Sequence, residues 1–217
     1  MKALLPAALL LLAACASTPV PPDWQVNAQS SLENFSAAYY AGNTRLAAQE
    51  FARARAEIAA TGRPDLLARA ELVRCAARVA SLEFEACAGF DALAVDAGKE
   101  ERAYAAFLAG RWQGLDAALL PVQHRALLAG AADAGALEAI KEPISRLVAA
   151  GVLFRMNRLT PAGMAAATET ASAQGWRRPL LAWLGVQAAR AEAAGDADEA
   201  ARIRRRIQIV SSDASRK

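Results

Sequence analysis

Eight glycines divide this chain into stretches of helical periodicity, and their spacing limits the fold more than any other feature. Gly42, Gly62, Gly98, Gly110, Gly135, Gly151, Gly175 and Gly195 each follow such a stretch. Glycine is favoured just past a helix C-terminus because it takes positive φ without a steric penalty. Reading between the glycines gives about five helical pairs, over 23–62, 64–97, 99–135, 136–174 and 176–213, each 34 to 40 residues long. α-Hairpin repeats run from about 34 residues to the mid-40s. The residues between the glycines agree. Of 217 residues, 58 are Ala and 26 Leu, whereas Val and Ile total 16 and aromatics are 6%. A sandwich or barrel needs β-branched and aromatic residues in alternation, while Ala and Leu are among the best helix formers. A mean hydropathy of +0.14 with 22% charged residues excludes general disorder. The expected fold class is all-α.

The first pair shows the pattern best. Asp23 can cap a helix in which Ala28, Leu32, Phe35 and Tyr39 share one face. Gly42-Asn43 breaks it, and Ala47, Phe51, Ala54 and Ile58 form the matching stripe of the next helix. In the last pair Asp196 with Glu199 has capping-box spacing, and Ala200, Ile203, Ile207 and Val210 continue an apolar stripe. Pro121 and Pro143 interrupt helical stretches, so each is expected in the first turn of a new helix. Thr160-Pro161 is a stronger start signal, an N-cap followed by a first-turn proline.

The spacing Gly42, Ala47, Phe51, Ala54 resembles the second half of a tetratricopeptide repeat. The first half departs from that family, with Ser31, Asn34, Phe35 and Ala38 where the repeat has Trp, Leu, Gly and Tyr. In the last pair Gly195 and Ala200 fit, but Arg204 stands at the large apolar position. The resemblance implies antiparallel α-hairpins stacked as a short solenoid of about five helix pairs. It also implies that the first helix of each pair lines a concave groove, with Tyr39 and Tyr40 in or beside it. Tyr39 lies on the apolar stripe and could equally pack in the core. Tyr40 lies off that stripe and is the better binding-groove candidate.

The N-terminus carries the most specific motif. Met1-Lys2 precedes an apolar run, Ala3 to Leu12, interrupted only by Pro6. The run is too short to span a bilayer, which takes about 20 apolar residues, and fits a signal-peptide core. It ends in Leu12-Ala13-Ala14-Cys15, which resembles the lipobox of bacterial lipoproteins. The resemblance implies removal of residues 1–14 and acylation of Cys15, and Ala16 after it implies transfer to an outer membrane. Ser17 to Pro22 is Pro-rich and expected to be extended. The expected organisation is therefore a signal at 1–14, a lipidated tether at 15–22 and a helical domain at 23–217. Loss of Lys2 takes the formal charge from +3 to +2, a small excess and not a basic patch.

Two further cysteines remain, Cys75 and Cys87. In an exported protein they suggest a disulfide. If the chain turns near Ser81-Leu82 they lie opposite each other. If one helix ran through both, they would stand about 18 Å apart and could not bridge. Two buried free thiols are the alternative.

Catalytic signals are sparse. His124, the single histidine, has no partner set for a zinc site or a triad and is expected to be solvated or capping. There is no Gly-rich phosphate loop. Glu83 and Glu85 precede an apolar segment and are expected to favour a helix N-terminus. Leu147 to Leu153, then Arg158 to Gly163, resembles the recognition-helix end and wing of winged-helix transcription factors. In an exported chain it reads as a helix stop at Gly151 and a helix start at Thr160. Arg204-Arg205-Arg206 reads as a solvated face, able to touch acidic headgroups or an acidic partner. Trp24, Trp112, Trp176 and Trp183 read as helix-packing residues. No metal, cofactor or nucleic acid is expected. The expected function is a non-catalytic protein–protein adaptor, anchored in the outer membrane through acylated Cys15, facing the periplasm and engaging another envelope protein. The alternative is a cell-wall-acting or small-ligand-binding protein, with a cleft holding Glu83, Glu85 or His124.

Overall fold

In a computed structural model the chain is described over residues 20–130 and 134–212, and these residues form helices and turns with no strand. Cys15, the expected signal at 1–14 and most of the expected tether at 15–22 lie outside the described residues. The helices are α1 (Asp23–Tyr40), α2 (Thr44–Ala59), α3 (Pro64–Ala80), α4 (Ala88–Asp91), α5 (Lys99–Leu108), α6 (Arg125–Leu128), α7 (Ala134–Ala139), α8 (Pro143–Arg155), α9 (Pro161–Ala173), α10 (Arg177–Ala193) and α11 (Ala197–Ser212).

The α1–α2 hairpin follows its sequence pattern closely. Gly42 takes φ +83° in the turn, and the Asn43 side chain accepts from Leu46 N at 3.1 Å to cap α2. Phe35 and Tyr39 bury on one side, Ala47, Phe51, Ala54 and Ile58 on the other. The Phe35 and Phe51 rings meet at 5.2 Å. Pro22, not Asp23, is the N-cap of α1. Asp23 sits in the first turn, where its charge favours the helix dipole.

At Gly151 the expected helix stop does not occur. α8 runs through it to Arg155, and a Cβ at Gly151 would overlap the Val79 carbonyl of α3. Glycine is needed here because α3 and α8 cross with backbones touching, not because a helix ends. The chain reverses instead at Asn157, with φ +54°. Thr160 then caps α9, accepting from Gly163 N at 3.1 Å, with Pro161 in its first turn. Gly98 and Gly135 also depart from expectation: the first is the N-cap residue of α5, the second lies inside α7.

Consecutive helices pack on each other most extensively for α1 with α2 and α10 with α11, while α9 packs on both α8 and α10. Among the described residues between 81 and 142 the helices are short, α5 being the longest. Pro143 opens α8 as expected, but Pro121 precedes a 3-10 turn at Val122–His124. The turn after α3 falls at Ser81 and Leu82, the latter at φ +60°. It brings Cys75 and Cys87 together as a disulfide with Cα atoms 5.9 Å apart.

The last hairpins return to the first. Trp183 of α10 is fully buried and donates to Ala80 O at 3.2 Å. Arg178 spans three segments: it donates to Tyr39 O at 2.9 Å, Thr44 Oγ1 at 2.7 Å and Glu83 at 3.2 Å. Its guanidinium also lies 4.3 Å over the Tyr39 ring. On α11, Asp196 caps by accepting from Glu199 N at 3.0 Å, and Arg204 pairs with Glu192 at 2.6 Å.

Candidate functional site: a groove across α1, α3 and α5

α1 carries a second row of side chains that overlaps its core stripe at Ala28 and Leu32. Trp24, Ala28, Leu32, Ser36 and Tyr40 recur every four residues and form a ridge inclined to the helix axis. Together with Leu66, Ala70 and Val73 of α3 they bound a cleft of about 820 Å³, with Ile58, Ile144 and Trp176 completing its walls. The small side chains of Ala28, Ser36 and Ala70 keep the floor low. Tyr40 is 2% exposed and stacks on Trp176 at 4.9 Å, forming the closed end. Half-exposed Trp24 stands at the other end. Over that span α1 is about 24 Å long at 1.5 Å per residue.

Charge sits on the rim. Arg63, just before α3, and Arg69 of α3 stand on one side, and α1 contributes Glu33. Arg63 pairs with Asp65 at 2.6 Å, and Arg69 with the buried carboxylate of Glu101 at 2.5 Å. The Arg63 guanidinium holds the Asp65 carboxyl below its ordinary range. Burial pushes the Tyr40 hydroxyl well above the ordinary phenol value, so the closed end is uncharged. A second hollow of about 570 Å³ shares Arg69 and Val73 with the first and continues to Tyr104, Leu120 and Pro121. The two adjoin across α1, α3 and α5.

The residues singled out from the sequence separate here. Tyr40 borders the groove but its ring is covered by Trp176. Tyr39 lies in the core, where burial foremost, and then the neighbouring Glu83 carboxylate, raise its pKa. Trp24 and Trp176 serve the groove, beyond the packing role expected of all four tryptophans. Trp112 stacks on Phe107 at 5.4 Å and Trp183 is core. The four-residue ladder of α1 was the readable signal for the groove; it overlaps the stronger core stripe and is obscured by it.

His124 is neither solvated nor a side-chain cap. It is 1% exposed, stacked on Phe107 at 4.8 Å and near Tyr104 at 6.0 Å. Burial pushes its imidazole down to about 4, with Glu142 opposing. Its Nδ1 has no hydrogen-bond partner. Glu83 and Glu85 do not serve a helix N-terminus. Glu83 pairs with Arg178 and with Arg78 at 3.7 Å, and Glu85 pairs with Arg78. Both border a hollow of about 230 Å³ beside the disulfide, which His124 does not reach. No group of three or more His, Cys, Asp or Glu able to hold a metal occurs among the described residues. No helix among them is long and apolar enough to cross a membrane.

No protein-family model matches this chain, and no curated protein or solved structure matches it either.

Proposed function

We propose that this chain is a lipid-anchored adaptor of the bacterial outer membrane, held through acylated Cys15, facing the periplasm and binding another envelope protein without catalysing a reaction. The observation that carries this reading is the apolar groove of α1 and α3, continued towards α5. In a tetratricopeptide-like reading it is the face that first helices would present, and Arg178 ties α10 back to the end of α1 and the start of α2. An apolar hollow of this size, rimmed by polar groups, is the kind of patch that marks an interaction site. The Cys75–Cys87 disulfide supports export, since such bonds persist in oxidising compartments.

A small-ligand reading has one observation in its favour: about 820 Å³ falls within the range of ligand pockets. It is the weaker reading, because the cleft holds none of Glu83, Glu85 or His124. The test is co-purification from detergent-solubilised membranes. Wild-type chain is expected to retain a stoichiometric protein, and Ala37→Arg, which places a charge in the groove from an exposed position, to lose it. Equal recovery with both would refute the groove as the binding surface.

A further inference from the structure

We propose that the α1–α3 groove receives one amphipathic α-helix of a partner protein, with an acidic flank lying along α3. The inference rests on the adaptor reading and names what the groove takes. Its walls are helices whose backbone groups bond internally, so no sheet edge is offered to an extended strand. The polar side chains on α1 are largely engaged: Ser36 donates to Leu32 O at 3.0 Å and Gln29 to Glu33 at 3.0 Å. An extended peptide laid on this floor would leave backbone N–H and C=O groups short of partners, which is unfavourable once they are desolvated. A helix satisfies its own backbone and presents only side chains.

The dimensions agree. The α1 wall is about 24 Å long, the length of about 16 residues of helix. Its ridges recur every four residues, with Ala28, Ser36 and Ala37 low between larger neighbours. Such surfaces accept the side-chain rows of another helix at about 8–10 Å between axes. The rim selects the flank. Arg63 commits two N–H groups to Asp65 and Arg69 one to Glu101, so each guanidinium keeps donors for an incoming carboxylate. On the α1 side Glu33 favours a basic residue. This asymmetry fixes the direction in which the helix lies.

The test uses a labelled 18-residue helical peptide with a Leu/Ala stripe, Glu along one flank and Lys along the other. Its controls are a scrambled order, the same stripe with Lys on both flanks, and palmitate as competitor. The first peptide is expected to bind one-to-one and saturably, the all-Lys version about fivefold more weakly. Arg63→Glu should abolish that difference. Ala37→Arg and Val73→Glu, both at exposed positions of the groove, should each weaken binding at least tenfold while leaving the circular dichroism spectrum unchanged. Equal binding of the scrambled peptide, or binding indifferent to both groove variants, would overturn the proposal. So would uptake of palmitate with no helix bound, which would assign the groove to an acyl chain. If the helix peptide fails while a photo-crosslinker at Ala37 captures a protein in membranes, the helical occupant is refuted and the adaptor reading stands. If both fail, both readings fall.

Discussion

Two buried residues hold positions that their chemistry alone does not suggest. Gly151 is in the middle of a helix because Val79 O occupies the space of its Cβ. Gly151→Ala must push α3 and α8 apart, and overpacking of this kind costs about 1–3 kcal/mol. Urea denaturation should show that loss, although alanine is the better helix former; a neutral or stabilising result would contradict the backbone crossing. His124 is neutral in the folded state at physiological pH, since burial lowers it to about 4 against an ordinary value of about 6.5. The unfolded chain therefore binds the extra proton first. Stability contributed by keeping this group neutral is present above about pH 6.5 and is lost as pH falls towards 4. At about 1.4 kcal/mol per unit the full loss is about 3 kcal/mol. His124→Phe preserves the stack on Phe107 and removes the titration, so its stability should fall less steeply than wild type over that interval. Parallel pH profiles would contradict the burial argument.

At the scale of elements, the stripes of α1, α2 and the start of α11 were legible because each has one buried face and an adjacent glycine turn. Those signals are local. Gly151 misled because glycine at a helix end and glycine at a helix crossing look alike in sequence; only the position of α3, distant in the chain, distinguishes them. His124 misled for the same reason, its burial being set by Phe107 and Tyr104 from α5. The disulfide was readable only conditionally, through the turn at Ser81 and Leu82, and that turn is formed. Closing a loop of 12 residues' separation restricts the unfolded chain, a contribution of about 3 kcal/mol in the chain-entropy treatment. The Cys75→Ser, Cys87→Ser double variant should lose about that much in thermal or urea unfolding, and reductant should destabilise wild type but not the variant. Reductant acting equally on both would contradict the assignment.

At the scale of the molecule, Arg178 joins the C-terminal hairpin to the first one through Tyr39, Thr44 and Glu83. Arg178→Met keeps much of the apolar stem but removes three hydrogen bonds and leaves the Tyr39 carbonyl without this donor. A loss of about 2–4 kcal/mol is expected, at about 1 kcal/mol or more per bond, with faster hydrogen exchange at the end of α1. Because Tyr40 and Trp176 close the groove at that same end, groove binding should weaken as well. Anchoring is tested separately. Cys15→Ser should abolish palmitate incorporation and release the chain from the membrane fraction. Retention in the membrane without label would contradict acylation at Cys15. The most direct test of an adaptor acting through the α1–α3 groove is a photo-crosslinking amino acid at Ala37 in intact cells, compared with the same group at exposed Ala193 of α10. A single discrete protein adduct from Ala37, absent from Ala193, is expected. Adducts of the same pattern from both positions, or none from Ala37, would contradict it.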